Sequence, residues 1–250
     1  MMRSGIAPLD AQLGGVADGR IHLLTGGVGT GKTSACLHFL AAGLETGETA
    51  AILTLDRPAE LSFHAAYLGI DIATPVHDGR LIALRFGPQF SRRFAYLPSL
   101  ERVTDELRRM IGGRTAPARV VIDPISPFLA DGSHSGTGIA AIVRLLEDIG
   151  ATTLLTYPGP LAGGEDRRLD PVLESAATVV WLSRDAEGGH AMSVLRARLA
   201  AVPRLPLRFV IAPALGIVEV PRLEPLEEHV LRGSASEDSP IPRVREVSAS

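Results

Sequence analysis

A strand, a glycine turn and a helix follow one another near the N-terminus, and this succession constrains the fold more than any other feature. A short apolar run, Ile21 to Thr25, leads directly into the stretch GGVGTGKT, which occupies Gly26 to Thr33. The residues after it have the composition of a helix, and glycines at positions 43 and 47 predict where that helix ends. The segment is therefore predicted to carry a sharp, backbone-rich turn between two buried elements.

The same alternation of apolar runs and helical segments continues along the chain. Strands are predicted at Ala50–Leu55, Leu81–Phe86, Arg119–Asp123 and Ala151–Thr156. These runs are apolar throughout, which is typical of strands covered by helices on both faces. The pattern predicts an α/β protein with a mostly parallel sheet flanked by helices.

The pattern changes at Thr178. Short strands joined by short turns are predicted at Thr178–Ser183, His190–Arg198, Leu207–Pro213 and Gly216–Val220, and we expect them to extend the sheet in antiparallel fashion. Beyond about Pro221 the chain is rich in Glu, Ser, Pro and Arg and poor in core-forming residues. We expect one domain over residues 1–220 and a flexible tail over 221–250.

Composition and charge indicate an ordinary globular protein. The 250-residue chain is 46% hydrophobic and has a formal net charge of -3, so it has no bulk attraction for nucleic acid or an anionic membrane. No apolar run reaches the roughly 18 residues of a membrane helix, and the N-terminus lacks the apolar core of a signal peptide. These features favour a cytoplasmic protein without a membrane partner.

The glycine turn matches the phosphate-loop pattern G-x-x-x-x-G-K-[ST]. Its glycines let several backbone amides face one anion, and the following helix adds its positive N-terminal end. Lys32 is the only lysine in the chain, and its compact ammonium group can reach outer phosphates in a way that a planar guanidinium cannot. The predicted nucleotide-binding residues are Gly26, Gly27, Val28, Gly29, Thr30, Gly31, Lys32, Thr33 and Ser34. The alternative is a glycine-rich turn that fits the pattern by coincidence, against which the flanking strand and helix argue.

Two residues are predicted to hold a magnesium ion. The hydroxyl group of Thr33 is placed to bind an ion that bridges the phosphates. Asp123 ends an apolar strand, where a carboxylate can support the magnesium shell. The alternative role of Asp123 is that of a helix cap or a loop acid.

Hydrolysis also needs a group that orients and deprotonates water beside the terminal phosphate. Asp56, at the end of the second predicted strand, is the better placed candidate, with Glu60 a little further along. An equally good interpretation is a structural acid paired with Arg57. The candidate catalytic residues are thus Asp56 and Lys32.

The chain resembles the KaiC-like branch of the RecA superfamily of ATPases in several segments. These are the lead SGIAPLDAQLGG, the phosphate loop, the turn Gly47–Glu48, the second strand and the runs VVID and TTLLT. The likeness covers roughly the first 200 residues and is more specific than a lone phosphate loop. It implies a RecA-like core, ATP with Mg²⁺, and a homo-oligomeric ring, often a hexamer, with ATP between subunits. Many members carry two adjacent glutamates after the second strand, where this chain has Asp56 and Arg57, a departure that predicts slow hydrolysis.

The resemblance also implies a role for the segment VLRAR, Val194 to Arg198. It is similar to the family's basic-x-Arg segment, which reaches the phosphates of the neighbouring subunit. Arg196 and Arg198 match, whereas Leu199 stands where a glycine usually follows. The alternative is a pair of solvated arginines on an edge strand, which also discourage aggregation.

These features together favour an ATP-binding, slowly hydrolysing ATPase that acts as a regulatory or signalling oligomer on a protein client. One alternative is a nucleotide-gated scaffold without useful turnover, and another is a RecA-like accessory ATPase of DNA recombination. The loops Leu129–Gly138 and Tyr157–Asp170 lack the basic groove and aromatic platforms that DNA tracking needs, so a nucleic-acid partner is disfavoured.

Overall fold

The computed structural model describes residues 1–86, 105, 108–109, 116–129, 135–159, 167–184 and 188–220. The tail predicted for 221–250 lies outside these residues, so the domain boundary near 220 stays a prediction. Parts of the two loops considered for DNA binding, 130–134 and 160–166, also lie outside them.

Helices and strands alternate along the described chain. The strands are β1 Ile21–Gly26, β2 Ala50–Thr54, β3 Leu81–Arg85, β4 Arg119–Asp123, β5 Thr152–Tyr157, β6 Thr178–Arg184, β7 His190–Ala197, β8 Leu207–Ala212 and β9 Gly216–Glu219. The helices are α1 Ala7–Leu13, α2 Lys32–Glu45, α3 Pro58–Tyr67, α4 Ala73–His77, α5 Ser135–Ile149 and α6 Asp170–Ser175, with 3₁₀ turns at Ser126–Phe128 and Arg167–Leu169. None of the helices within the described ranges combines the length and the apolar content that crossing a bilayer requires.

The strands in the described ranges form one nine-stranded sheet in the order β3-β2-β4-β5-β1-β6-β7-β8-β9. The strands from β3 across to β6 run parallel, and β1 lies between β5 and β6, with Leu24 opposite Thr156 and Val180. From β6 to β9, each strand pairs with the next in antiparallel fashion. The predicted α/β fold, a mostly parallel sheet with an antiparallel C-terminal extension, is confirmed.

Apolar cores cover both faces of the sheet. Val121 of β4 belongs to the core that contains Leu40 of α2, whereas Val120 and Ile122 belong to the core that contains Leu146 of α5. Successive residues of a strand point to opposite faces. This arrangement explains why β4 is buried along its whole length and why its sequence shows no polar alternation.

The antiparallel extension curls over helix α2. The backbone N–H of Ile217 in β9 donates a hydrogen bond to Nε2 of His38 in α2 at 3.0 Å. The N–H of Ala214, in the β8–β9 turn, donates to the carbonyl oxygen of Tyr67 at 2.8 Å, at the end of α3. Helix α2 is therefore enclosed by the sheet on one side and by the extension on another, which fixes its N-terminus at the end of the glycine loop.

Candidate functional site

The glycine loop after β1 bends closely against neighbouring strands. Gly26 has φ +152°, and a Cβ at this position would lie 2.4 Å from the carbonyl oxygen of Leu182. Gly31 has φ +96°, and a Cβ there would lie 2.9 Å from Cδ1 of Ile211. Glycine is needed at both positions because any side chain would collide or strain the backbone. Val28, at the tip, is 95% exposed, so the loop opens to solvent.

The ammonium group of Lys32 lies within the loop. Its Nζ donates hydrogen bonds to the carbonyl oxygens of Gly26 at 2.7 Å and Gly27 at 2.6 Å. Burial lowers the pKa of Lys32, while the charge of Asp123 acts to raise it. A half-buried cation surrounded by backbone groups at a helix N-terminus is suited to an anion with several oxygens.

Thr33 and Asp123 meet at the carboxyl end of β4. Oγ1 of Thr33 donates a hydrogen bond to Oδ2 of Asp123 at 2.7 Å. Oγ1 of Thr156, at the end of β5, donates to the other carboxylate oxygen, Oδ1. The Asp123 side chain is buried, with 6% of the residue exposed. Thr156 was not identified from the sequence, although a threonine near the end of an apolar strand is a usable signal.

These side chains fit a magnesium ion. Hydroxyl and carboxylate oxygens are the ligand types that Mg²⁺ accepts, alongside water and phosphate oxygens. The hydrogen bond between Thr33 and Asp123 shows that the two oxygens can reach a common point beside the loop. Asp123 is held by a second hydroxyl group, that of Thr156, so its orientation is set before any ion binds.

Asp56 follows β2 and is half-buried near the same edge. Its backbone N–H donates a hydrogen bond to Oγ1 of Thr54 at 3.2 Å. Burial raises the pKa of Asp56, the negative charge of Asp123 raises it further, and His64 acts in the opposite direction. A carboxylate with a raised pKa is a stronger base, which suits a role in accepting a proton from water.

Arg57 contacts Glu60 rather than Asp56. Its Nε lies 4.0 Å from Oε1 of Glu60, and its backbone N–H donates to Oε2 of Glu60 at 2.9 Å. Both side chains are largely exposed. The ion pair considered for Asp56 is therefore formed by Glu60, the third residue of α3, whose carboxylate accepts the backbone N–H of the N-cap residue Arg57 in a capping box.

Two histidines beside the loop were missed in the sequence. Nε2 of His64 in α3 lies 3.0 Å from Oγ of Ser34, the buried residue that follows Thr33. Nε2 of His190 in β7 lies 3.3 Å from the carbonyl oxygen of Gly29, and its ring packs 5.2 Å from that of Phe209. No local pattern could reveal them, because each contact joins elements far apart along the chain.

Arg196 and Arg198 lie far from the loop of their own chain. Ala197 pairs with Thr178, which pairs in turn with His22 near the amino end of β1. The loop follows the carboxyl end of β1, about 13 Å from His22 at roughly 3.3 Å per residue. The two guanidinium groups are exposed and donate to backbone carbonyl oxygens of α6, at Leu173 and Glu174 respectively. Within one chain, the two arginines therefore lie at the other end of the strands from the phosphate loop.

A comparison with protein families finds a match that covers the whole site. The family model described as "ATPase: KaiC" matches residues 2–224, which include the phosphate loop, Asp56, Asp123 and both arginines. A search of the curated proteins finds no matching relative. The loop is thus that of an ATP-binding P-loop ATPase with a RecA-like fold. The chain belongs to the KaiC family of ATPases.

Proposed function

We propose that this protein is a magnesium-dependent ATPase that hydrolyses ATP slowly, assembles into homo-oligomeric rings and acts in the cytoplasm as a regulatory switch on a protein client. The observation that carries the proposal is the 2.7 Å hydrogen bond between Thr33 and Asp123. It joins the phosphate loop to the buried acid at the end of β4, close to Lys32. This is the juxtaposition that an ATPase of this class uses to hold a metal and a triphosphate together.

Binding of ATP would use groups that the loop already presents. The backbone amides and the N-terminus of α2 bind phosphate oxygens, and Lys32 exchanges its carbonyl partners for the more strongly interacting phosphates. Thr33 and Asp123 would hold the magnesium ion, and that ion neutralises charge on the phosphate oxygens when bound. The exposed tip of the loop leaves an open path for the nucleotide.

Asp56 is proposed to orient and deprotonate the attacking water. Its raised pKa and half-buried position support this role. Its side chain is one methylene shorter than glutamate, and position 57 supplies an arginine bound to Glu60 instead of a second acid. A single short carboxylate favours slow turnover, and slow turnover would keep the ATP-bound form long enough to act as a signal.

The ring is proposed from the placement of Arg196 and Arg198. Neutral backbone carbonyls are their partners in α6, and a phosphate is a stronger partner for a guanidinium group. A neighbouring subunit could therefore offer both arginines to the phosphates and stabilise the charge that develops during hydrolysis.

Phosphate release tests the enzymatic part of the proposal. Wild type, Lys32→Ala and Asp56→Asn are compared with ATP, with and without magnesium. We expect slow, magnesium-dependent release from the wild type, background release from Lys32→Ala, and about 100-fold slower release from Asp56→Asn with ATP binding retained. Comparable release from all three proteins would remove the enzymatic function.

A nucleotide-gated scaffold is the second candidate, because Asp56 lacks an acidic neighbour at position 57. In that case ATP would drive assembly without useful hydrolysis. Size measurement with and without ATP separates the candidates when it is combined with phosphate release. ATP-dependent assembly that is equal in the wild type and Asp56→Asn, with turnover in neither, would favour the scaffold.

A further inference from the structure

A hydrogen bond links the phosphate-binding turn to helix α3. Oγ of Ser34 and Nε2 of His64 are 3.0 Å apart, within the normal range for such a bond. Ser34 directly follows Thr33 in the first turn of α2 and is 4% exposed. The ring of His64, itself half-buried, therefore contacts a buried residue of the phosphate-binding turn.

Helix α3 has few other anchors: besides its buried side chains, the carbonyl oxygen of Tyr67 at its end accepts a hydrogen bond from the N–H of Ala214. Of its ten residues, Leu61 and Ala65 are buried, whereas Phe63 and Tyr67 are 78% and 47% exposed. A helix with so narrow an apolar face gains little from burial and can shift against its neighbour. The polar contact of His64 with Ser34 is thus one of a small number of contacts that hold α3, and it is a direct side-chain link to α2.

Asp56 is attached to the start of α3. Arg57 is the N-terminal cap of the helix and Pro58 its first residue, and the fixed φ of proline leaves little freedom at this junction. A displacement of α3 would therefore move Asp56. The effect of His64 on the pKa of Asp56 is a separate sign that the two side chains lie close together.

We propose that the hydrogen bond between Ser34 and His64 is a positioning contact for ATP hydrolysis, which holds α3, and with it Asp56, at a fixed distance from the phosphate loop. The proposal rests on the function proposed above for Asp56. His64 is a positioning residue, because it acts through Ser34 and the helix rather than on the nucleotide or the attacking water.

Steady-state kinetics on five variants test this role. Ser34→Ala and His64→Ala each remove the contact, and the double variant removes both partners. His64→Gln keeps a hydrogen-bond donor and an acceptor within reach of Ser34. Ser62→Ala is the control, because it changes an exposed residue of the same helix. We expect each alanine variant to lower kcat about 10- to 100-fold with KM for ATP nearly unchanged. The double variant should be no slower than the slower single variant, because both lose the same contact. His64→Gln should recover most of the activity, and Ser62→Ala should match the wild type.

Hydrogen exchange in the nucleotide-free protein supplies a readout besides activity. The N–H of Leu61 donates to the carbonyl oxygen of Arg57 at 2.9 Å and closes the first turn of α3. We expect faster exchange at Leu61 in Ser34→Ala and His64→Ala, and unchanged exchange in His64→Gln and Ser62→Ala. If Ser34→Ala does not fold, the two His64 variants decide the outcome.

Different results would contradict the positioning role of His64 and the proposed ATPase function. An active wild type with unchanged kcat in both alanine variants, additive losses in the double variant, or a raised KM with unchanged kcat would each overturn the positioning role. A wild type without turnover would overturn the ATPase function, and the exchange at Leu61 would then decide. Equal exchange in the wild type and both alanine variants would overturn the positioning contact.

Discussion

His22 and Arg119 are ionisable residues that are each only 2% exposed, and the fold accommodates them in opposite ways. His22 is kept neutral: Nε2 donates to the carbonyl oxygen of Ala17 at 2.9 Å, and Nδ1 has no hydrogen-bond partner among the described residues. Arg119 is paired instead: Nε lies 2.7 Å from Oε2 of Glu48, and the guanidinium group packs 4.8 Å from the centre of the Phe39 ring. Burial costs free energy in both cases. One hydrogen bond offsets part of this cost for His22, whereas an ion pair and hydrogen bonds to the carbonyl oxygens of Arg3 and Phe39 offset it for Arg119.

The first prediction concerns His22 and acid stability. Burial lowers its pKa from 6.5 to about 4, so the unfolded chain binds more protons between these values. Stability from this group is therefore fully present above pH 6.5 and is lost as the pH falls towards 4, with a total loss on the order of 3 kcal/mol. We expect His22→Gln, which keeps a donor for Ala17, to lose less unfolding free energy than the wild type between pH 7.5 and 4.5.

Urea unfolding at the two pH values measures this difference. The matched control is His77→Gln, which changes an exposed histidine. An acid-induced loss of the same size in the wild type and His22→Gln would show that His22 does not carry this part of the pH dependence.

The second prediction concerns Gly43, which lies inside α2. Replacing a helical glycine by alanine normally stabilises a protein by up to about 1 kcal/mol. Here a Cβ would lie 2.3 Å from Nε of Arg119, so we expect Gly43→Ala to destabilise the fold by about 1 to 3 kcal/mol. In an Arg119→Ala background, where Nε and Cδ of Arg119 are both gone and only Oε2 of Glu48 remains at 2.6 Å, the penalty should shrink. Thermal unfolding of the four proteins measures the coupling, and an equal penalty in both backgrounds would contradict the steric explanation.

At the scale of elements, the contact between β9 and α2 supports the helix that begins at the end of the phosphate loop. Gly216 has φ +67°, and a Cβ at this position would lie 1.9 Å from Nε2 of His38. The same nitrogen accepts a hydrogen bond from the N–H of Ile217, so a side chain at position 216 would break this hydrogen bond between β9 and α2.

The third prediction concerns this hydrogen bond between β9 and α2. We expect Gly216→Ala to lower stability by about 2 to 4 kcal/mol and to weaken ATP binding, because α2 loses part of its support. Gly79→Ala is the control: Gly79 has a similar φ of +77° with nothing near its Cβ position, so backbone strain alone should cost about 1 kcal/mol. Urea or thermal unfolding measures the loss of stability, and titration with ATP measures the loss of binding. Equal losses in Gly216→Ala and Gly79→Ala would rule out a role for the contact with His38.

The elements that could be predicted from sequence are those whose own composition specifies them. The strand Arg119–Asp123 is predicted with its observed bounds because its three central residues, 120 to 122, are consecutive apolar residues and an acid follows them. Helix α4 has only five residues and α6 only six, too few for an apolar period to emerge, and neither was predicted. The curl of the extension over α2 and the contact of Ser34 with His64 depend on tertiary packing, and short-range patterns do not encode such contacts.

At the scale of the whole molecule, the loop and the two arginines lie at opposite ends of the adjacent strands β1, β6 and β7. A contact between the loop of one copy and Arg196 and Arg198 of the next is head-to-tail, and repeated head-to-tail contacts close into a ring when the rotation allows. In such an assembly each nucleotide site draws on two subunits.

The fourth prediction uses this division of the site. Lys32→Ala has a defective loop but intact arginines, whereas Arg196→Ala combined with Arg198→Ala has the reverse. We expect each preparation alone to be nearly inactive and a mixture of the two to regain turnover, since some interfaces then combine an intact loop with intact arginines. Arg204→Ala, which changes another exposed arginine, should behave as the wild type. A mixture no more active than its components would refute a site shared between subunits.

The most direct test of the central claim is calorimetric titration of the full chain with ATP in the presence of magnesium. The Lys32 ammonium group and the backbone of the glycine loop, with Thr33 and Asp123 beside them, predict saturable binding that weakens without magnesium. They also predict that Lys32→Ala abolishes binding while Asp56→Asn retains it. A folded wild-type protein that binds neither ATP nor GTP, even with magnesium supplied, would contradict the account.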